Sequence, residues 1–419
     1  MARLLLLFAR TSYRAEAFLL AARRLGVDVT VGSNHRQVLA DLAPGGTLRL
    51  SVEDIDRSLA TVVHFASDHP LAAIVAAEDD FTTLAAAASE ALGLAHHSPE
   101  AVLLARNKGL MRERLSAAGV SSPWFRVASL GDDPVRVAAR TRFPCVLKPL
   151  SLSASRGVIR ADAPEEFVRA WDRIRAILEG SVTVGRDGGP ADAVLIEGYL
   201  PGREVAVEGI VVAGRLLTLA ILDKPDPMEG PFFEETILVT PSRLPDRVQE
   251  DIVSFVQRCA THLGLSDGPV HAELRVDADQ VALLEIAARS IGGRCSTILR
   301  FDPDATLEEL ILRHALGMPL HGFVREAGAA GVMMLPIPRA GVLRQVGGLD
   351  AALEVPGITG LEITIPLGQT VVPLPEGNRY LGFLFAKADT PDQVEVALRV
   401  GHARMQVEIE PELGDGTSS

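Results

Sequence analysis

The segment His271-Ala-Glu-Leu-Arg-Val-Asp-Ala-Asp-Gln-Val-Ala-Leu-Leu-Glu-Ile-Ala-Ala-Arg289 contains two strand-like apolar patterns that are joined at Ala278-Asp279. A connection of this length is typical of a β-hairpin. We expect the hairpin to place the carboxylates of Glu273 and Glu285 side by side on one face. Hard oxygen ligands on adjacent rigid strands are what Mg²⁺ bridging nucleotide phosphates requires. The alternative is a solvated polar strand face.

The residues that follow the hairpin favour a metal and anion site over a solvated strand face. Arg289 lies four residues past Glu285 and is followed by Gly292-Gly293. A fixed cation and exposed backbone N–H groups beside a metal site suit an anionic substrate or a developing phosphorylated oxygen.

Two lysines lie upstream of the hairpin. Lys148 is in an apolar strand just before the turn Ser151-Leu-Ser-Ala-Ser-Arg-Gly157. A buried lysine is costly unless it meets an anion, and a turn of small residues offers amides and hydroxyls that can fold over phosphates. A plain hairpin is the alternative. Lys108, taken alone, reads as a solvated helix residue.

A strand is interrupted at Leu195-Ile-Glu-Gly-Tyr-Leu-Pro-Gly-Arg-Glu204. Interrupted strands free backbone groups, which can pair with the edge of an adenine, and a nearby glutamate can accept from ribose hydroxyls. An ordinary β-bulge or hairpin is the alternative.

The N-terminal region alternates strands (3–9, 27–31 and 71–77) with helices (14–25 and 81–92), which predicts a parallel sheet with helices on its faces. The acidic turn Glu78-Asp79-Asp80 comes just past a strand end, where open α/β sheets usually bind ligands. A helix N-terminus with acids in its first turn explains it equally well.

Further elements are predicted along the rest of the chain. Ser98 and Pro99 begin helical periodicity that pauses after Arg106 and resumes over 108–118, and Thr390-Pro391 begins a late helix. The other predicted elements are strands within 143–162, at 194–197, 204–212, 215–222, 270–277, 281–286 and 405–409, helices at 164–178 and 246–263, and a loop over 180–193.

Composition excludes several classes of function. The chain of 419 residues has 41 Lys+Arg against 54 Asp+Glu, a net charge of -13, which argues against nucleic-acid binding and leaves only local phosphate binding. Three widely spaced cysteines exclude a disulfide framework and a thiolate zinc site. The first apolar run ends at Arg10 without a cleavage site, and no run is long enough to span a membrane. We therefore expect a cytoplasmic protein without a membrane partner.

Taken in order, these features resemble the ATP-grasp superfamily over most of residues 1–320. They are Lys108, Lys148 with its turn, Glu197 to Glu204, Glu273, and Glu285 with Arg289. The phrases Gly230-Pro-Phe-Phe-Glu-Glu-Thr-Ile-Leu-Val-Thr-Pro-Ser-Arg-Leu and Glu285-Ile-Ala-Ala-Arg-Ser-Ile-Gly-Gly resemble the L-amino-acid ligase branch, close to biotin-carboxylase-like members. The segment after 331 resembles the C-terminal domain that often accompanies such ligases.

The resemblance implies a mixed α/β and α+β fold with four parts. They are a Rossmann-like parallel α/β domain (1–97), linker helices and a lid (98–198), an antiparallel-sheet catalytic core (199–325) and a C-terminal α+β domain (326–412), followed by a tail (413–419).

The resemblance also implies roles for individual residues, with ATP and Mg²⁺ as cofactors and Mn²⁺ as a substitute. ATP contacts are expected from Lys108, Lys148, Ser151, Ser153, Ser155, Gly157, Glu197, Tyr199, Leu200 and Glu204. Glu273 and Glu285 are the expected metal ligands, and the substrate contacts are Arg289, Gly292, Gly293, Glu235 and Glu78. Arg289, Lys148 and Glu285 are the residues expected to act in catalysis.

The implied reaction joins a small carboxylate, such as an amino acid, to an amine. A carboxylate oxygen attacks the γ-phosphorus, giving an acyl phosphate and ADP, and the amine then displaces phosphate. A bicarbonate-activating carboxylase and a non-catalytic ATP-binding module are the alternatives. A homodimer is the family-level expectation. No G-x-G-x-x-G follows the first strand, so a Rossmann oxidoreductase is set aside.

The sequence departs from the family pattern in several places. The lid turn has one glycine, Ala287 stands where many relatives carry a metal-binding Asn, and Leu238 replaces the His of a Glu-x-x-His pattern that begins at Glu235. Asp223 and Lys224 precede this pattern, and their roles are open.

Overall fold

The structure is a computed structural model that describes residues 2–9, 12–35, 45–150, 152–180, 192–278 and 280–411. Ser151, Asp279, residues 181–191 of the predicted loop, residue 412 and the predicted tail (413–419) lie outside the described residues.

The N-terminal part is a parallel sheet with helices on its faces, as predicted. Four strands pair in the order β3-β2-β1-β4, all in parallel. They are β1 (Arg3–Leu7), β2 (Asp28–Ser33), β3 (Thr47–Arg49) and β4 (Ala73–Ala76), with helices α1 (Ala15–Arg24), α2 (Ile55–Asp68) and α3 (Asp79–Ala91). The sequence reading missed β3 and α2.

Two short helices lead out of this part. They are α4 (Pro99–Arg106) and α5 (Lys108–Ala117). The Ser98 side chain accepts from the Ala101 N–H, which confirms the predicted start of α4. The predicted pause is Asn107, whose side chain accepts from the N–H groups of Gly109 and Leu110 and so caps α5.

The lid, defined here as residues 125–198, is a small antiparallel sheet. Its strands pair in the order β5-β8-β6-β7. They are β5 (Phe125–Ser129), β6 (Cys145–Pro149), β7 (Ile159–Ala161) and β8 (Ala193–Gly198), with helices α6 (Pro134–Ala138) and α7 (Pro164–Glu179). Trp171 and Phe167 of α7 are fully buried against the sheet.

The central sheet has eight strands in the order β13-β12-β9-β10-β11-β17-β21-β19. Its first five members are β9 (Arg203–Val212), β10 (Arg215–Lys224), β11 (Ile237–Thr240), β12 (Gly268–Asp277) and β13 (Gln280–Ala287), with helix α8 (Asp246–Leu263). Alternate apolar residues such as Val205 and Leu274 pack against α5 and α8. The opposite face carries Glu204, Glu273 and other charged side chains.

A smaller sheet and a helix follow the central strands. Strands β14 (Arg300–Asp302), β15 (Ala305–Thr306) and β16 (Val324–Arg325) pair in the order β15-β14-β16, and helix α9 (Leu307–Ala315) packs against α1. The sequence reading missed α9 and β11.

Three of the C-terminal strands, β17, β21 and β19, continue the central sheet, and three others form a separate sheet in the order β20-β18-β22. The elements are β17 (Ala329–Leu335), β18 (Gly341–Gly347), β19 (Ile358–Ile363), β20 (Thr370–Val371), β21 (Gly382–Ala388) and β22 (Gln406–Glu410), with α10 (Leu349–Leu353) and α11 (Pro391–Ala403). Strand β17 pairs with β11 in an antiparallel register. A Thr390–Gln393 capping box begins α11, as the Thr390-Pro391 signal predicted. The proposed domain boundary at 325/326 therefore falls between two paired strands of one sheet.

Candidate active site

One cavity of about 450 Å³ lies where the N-terminal part, the lid, the central sheet and the loop before β21 meet. Most of the predicted site residues line it. They are Glu78, Lys108, Lys148, Ser153, Ser155, Glu197, Tyr199, Leu200, Glu204, Glu235, Glu273, Glu285, Arg289, Gly292 and Gly293. Gly157 is not among the lining residues.

Glu273 and Glu285 face each other across the β12–β13 hairpin, as predicted. The reason is not visible in the sequence. From the turn to Leu274, the strands pair regularly, and Leu274 is opposite Leu283. The register then shifts, so that Leu284 is an extra residue and Glu285 becomes the partner of Glu273. Without this β-bulge, the two carboxylates would point to opposite faces of the sheet.

Arg112 holds the bulge in place. This fully buried arginine on α5 donates to the carbonyl oxygens of Leu283 (2.8 Å) and Leu284 (3.1 Å). Its Nε atom donates to Glu197 at 2.8 Å. The sequence reading missed Arg112, although it lies four residues after Lys108 and therefore on the same side of the helix.

Lys108 is buried rather than solvated. Its Nζ atom lies 3.1 Å from Glu285 Oε2 and donates to the Leu152 carbonyl oxygen at 2.8 Å. The first residue of α5 thus connects one expected metal ligand to the lid turn.

The anionic partner of the buried Lys148 is a side chain of the protein itself. Its Nζ atom is 2.6 Å from Glu197 Oε1. Burial raises the pKa of Glu197, but Arg112 and Lys148 outweigh it and bring the pKa to about 2. Glu197 also lies inside β8, which pairs with β5 on one side and β6 on the other. The backbone of Glu197 is therefore paired within the sheet and not free to contact adenine, contrary to the expectation. The strand interruption begins only after Gly198.

A second cluster of charges surrounds Lys224, whose role the sequence left open. Its Nζ atom lies 2.7 Å from Glu204 and 3.1 Å from Glu273, and it also donates to Glu235. Arg275 approaches the other Glu204 oxygen at 3.0 Å. Both Glu204 oxygens therefore already pair with cations of the protein. A ribose hydroxyl would have to compete with Lys224 and Arg275 for these oxygens.

This cluster resembles a metal site in its spacing. Ligand oxygens of Glu204, Glu235 and Glu273 lie within 4.8 Å of one another. The Lys224 ammonium contacts all three carboxylates, so a cation of the protein already fills that role. Burial raises the pKa of Glu235 to about 8, whereas Lys224 and His271 outweigh burial at Glu273 and lower its pKa.

Arg289 pairs with the acidic turn at the N-terminal part. Its Nη2 atom lies 2.7 Å from Asp79 Oδ2, in the first turn of α3. Glu78 accepts from the Ala9 N–H at 3.0 Å and from the Ser12 hydroxyl, and burial raises its pKa. The acidic turn therefore begins a helix and also lines the cavity, and ligand binding by this turn stays a prediction.

Three known domain families match successive parts of the chain. The chain matches the ATP-grasp N-terminal domain over residues 19–96, the ATP-grasp domain over 141–298 and the L-amino acid ligase C-terminal domain 2 over 333–410. The chain belongs to the ATP-grasp superfamily, in its L-amino-acid ligase branch.

Similar proteins include two curated ligases. Carnosine synthase 1 of Gallus gallus is 32% identical over 66% of this chain and 30% of its own length. Alanine–anticapsin ligase of Bacillus subtilis is 27% identical over 64% of this chain and 60% of its own length. The chain thus spans less than two thirds of these two relatives. The crystal structure of an L-amino acid ligase from Bacillus licheniformis has the same fold, with a TM-score of 0.79, 21% identity and coverage of 98% of this chain and 99% of that chain.

Two further sets of buried contacts hold the segment after Arg289, and the sequence analysis missed both; the first set, made by Arg14, also joins this segment to the N-terminal part. Arg14 donates to the Ala77 carbonyl oxygen (2.7 Å) and to Ser290 Oγ (2.6 Å). Glu208 accepts from the Ile291 N–H at 3.0 Å and lies 3.0 Å from His271 Nδ1. These contacts fix the segment between Arg289 and Gly292.

The lid turn contacts the C-terminal loop, defined here as residues 372–380. The Gly157 N–H donates to the Pro375 carbonyl oxygen at 3.0 Å, and Arg156 Nε donates to that of Glu376 at 2.9 Å. Arg173 of α7 makes two hydrogen bonds to the Glu376 carboxylate. Gly157 thus binds the C-terminal loop, whereas the resemblance predicted a phosphate contact for it.

The residues present fit a magnesium ion at the Glu273–Glu285 pair. Both carboxylates line the cavity, share a face and keep exposed side-chain fractions of 18% and 30%. Hard, partly exposed oxygens of this kind suit Mg²⁺, which keeps several water ligands.

Among the described residues, no helix is long and apolar enough to cross a membrane.

Proposed function

We propose that the protein is an ATP-dependent carboxylate–amine ligase that forms an amide or peptide bond through an acyl phosphate. One observation carries the proposal. The Glu273–Glu285 pair, two buried lysines and Arg289 all line the same cavity. Carboxylates for a metal, cations for phosphates and an arginine for a carboxylate are the groups that phosphoryl transfer to a carboxylate needs.

Each group has a proposed task. Glu273 and Glu285 would hold Mg²⁺, which neutralises charge on the transferring phosphoryl group when bound. Lys108 and Lys148 bind phosphate oxygens, and both keep ammonium donors beyond their contacts with Glu285 and Glu197. Arg289 orients the substrate carboxylate, an interaction for which its planar guanidinium is suited.

The proposed reaction has two steps, phosphoryl transfer to the carboxylate and attack of the amine. A carboxylate oxygen bonds to the γ-phosphorus as the bond to the leaving ADP breaks. The amine nitrogen then bonds to the carbonyl carbon, the bond to phosphate breaks, and the nitrogen gives up a proton. Ser153 and Ser155 of the lid turn line the cavity where this intermediate would form, and the lid excludes water from it.

Product analysis tests the proposal. Purified protein with Mg²⁺ and ATP is given pairs of proteinogenic amino acids, and ADP, phosphate and coupled product are measured, the last by mass spectrometry. We expect stoichiometric ADP and phosphate only when both substrates are present. AMP with pyrophosphate would contradict the acyl-phosphate route. ADP release that needs bicarbonate and no amine would point to a carboxylase, and ATP binding without turnover across the panel to a non-catalytic module.

Two further expectations belong to this proposal. Mn²⁺ should substitute for Mg²⁺, since both accept carboxylate and water ligands. A homodimer is the expected assembly, to be checked by light scattering.

A further inference from the structure

Arg379 differs from the other cations that line the cavity. Most of these cations already have a carboxylate partner, Lys108 with Glu285, Lys148 with Glu197, Arg275 with Glu204 and Arg289 with Asp79. The Arg379 side chain is exposed and makes no ion pair or hydrogen bond with any residue that the structure describes. Its guanidinium is therefore available to an anion that enters the cavity.

The C-terminal loop that carries Arg379 is fixed at both ends. Before Arg379, Pro375 and Glu376 accept hydrogen bonds from the lid turn. After it, the N–H of the buried residue Leu381 donates to the Leu335 carbonyl oxygen of β17 at 2.9 Å. A residue held from both sides presents its side chain at a defined point of the cavity wall.

The chain neighbours of Arg379 line the same cavity as Arg289 and Gly293. Phe383, a short distance along the chain, packs so closely on Gly293 that a Cβ there would come within 3.1 Å of the Phe383 ring. Gly293 itself lies four residues past Arg289. The other neighbour, Tyr380, also lines the cavity, where burial, followed by the charges of Glu235 and Glu234, raises the pKa of its phenol.

Besides Arg289, the cavity thus offers Arg379, which has no carboxylate partner among the described residues. Arg289 is assigned to the carboxylate that becomes phosphorylated, and that carboxylate loses its charge in the reaction. A second arginine has no task if the other substrate is a simple amine. Arg379, which is exposed to the cavity, offers a positive group to a carboxylate, as an amino acid used as the amine substrate requires.

We propose that Arg379 binds the carboxylate of the amine substrate and so selects amines that carry a carboxylate over simple amines. This inference rests on the proposed ligase function. Arg379 acts here as a specificity-determining residue, because it touches the second substrate away from the atoms that react.

The experiment separates the two half-reactions with hydroxylamine, an amine without a carboxylate that converts acyl phosphates to hydroxamates. Wild type, Arg379→Gln and Arg379→Lys are compared on the amino-acid pair that gives most product, and on the same donor with hydroxylamine. Arg404→Gln is the control, since Arg404 is exposed and does not line the cavity.

We expect Arg379→Gln to raise the KM for the acceptor amino acid by about tenfold or more, the effect of losing one charged hydrogen-bonded contact. Hydroxamate formation and the KM for ATP should stay unchanged, and Arg379→Lys should recover part of the loss.

Three results would overturn the inference. An unchanged acceptor KM in Arg379→Gln would show that Arg379 does not read the acceptor. An equal loss of hydroxamate would assign Arg379 to the donor or to ATP instead. Wild type that makes neither product nor hydroxamate with any donor would refute the ligase function itself, and this inference with it.

Discussion

Glu273 and Glu285 are partners across the β12–β13 hairpin because the extra residue Leu284 shifts the register by one position. A regular hairpin would have placed Leu284 opposite Glu273 and turned Glu285 to the other face of the sheet. Arg112 fixes the shift by donating to the carbonyl oxygens of Leu283 and Leu284. The proposed metal site therefore depends on a helix residue that touches neither carboxylate of the pair.

The first prediction concerns this pair of carboxylates. Glu273→Gln and Glu285→Gln should each lower ATP-dependent turnover roughly 100-fold or more, because each removes charge that neutralises the transition state. The Mg²⁺ concentration for half-maximal rate should rise in both. The control Glu100→Gln removes an exposed partner of Arg114 and should leave both quantities unchanged. Full activity in either variant would exclude that glutamate from the metal site.

The second prediction concerns stability. Lys224→Met should lower the free energy of unfolding by about 3–5 kcal/mol at pH 7, because it removes the buried cation that the buried Glu204 shares with the half-buried Glu235 and Glu273. Lys387→Met, which removes an exposed pair with Glu326, should cost at most about 1 kcal/mol. Urea unfolding followed by circular dichroism measures both. Equal losses in the two variants would mean that Lys224 does not stabilise the cluster.

The third prediction concerns acid sensitivity. Burial lowers the pKa of His97 to about 4, and its Nδ1 atom accepts from the N–H groups of Ser266 and Asp267. The folded state therefore binds this proton less readily than the unfolded chain, whose histidine has an ordinary pKa of about 6.5. The contribution of the neutral ring to the free energy of unfolding is fully present above pH 6.5. It falls by about 3 kcal/mol as the pH falls toward 4.

Unfolding free energies at pH 4.5 and 7 check this effect. The wild type should lose more stability across that interval than His97→Gln, which cannot titrate. His64→Gln, a change at an exposed histidine of α2, should behave like the wild type. The same pH dependence in all three proteins would assign the acid sensitivity to other groups.

The fourth prediction concerns the contact between the lid and the C-terminal loop. Arg173→Ala removes two hydrogen bonds to Glu376. Because this pair is partly exposed, stability should change by less than about 1 kcal/mol. The lid should close less completely, so that water reaches the acyl phosphate and more ADP is released per product formed.

The ratio of ADP to coupled product measures this uncoupling. Arg169→Ala, at an exposed position on the same helix, is the matched control and should keep the wild-type ratio. If Arg173→Ala also keeps that ratio, the contact with Glu376 plays no part in excluding water.

Local patterns predicted those elements whose signals are local. The caps at Ser98 and Thr390 and the alternation in β12 and β13 each depend on neighbouring residues. Strand β11 was missed because its four residues are stabilised mainly by pairing with β17, which lies about ninety positions later in the chain. The same limit applies to Arg112, whose partners are 85 to 172 positions away.

Charged residues were identified by sequence more readily than their partners. Motif order placed Lys108 and Lys148 in the site, and both line the cavity. Their contacts with Glu285 and Glu197 follow from the tertiary packing and had no local signal. Lys224 was noticed without a role, because its three carboxylate partners come from three different strands or loops.

The pairing of β11 with β17 limits how this chain can be divided or recombined. A cut after residue 325 would expose the β11 edge to other chains, and it would take the C-terminal loop with Arg379 away from the cavity. Exchange of a whole C-terminal module between relatives would break the same sheet. New acceptor preferences are therefore better sought by grafting residues 372–380 alone into an intact protein.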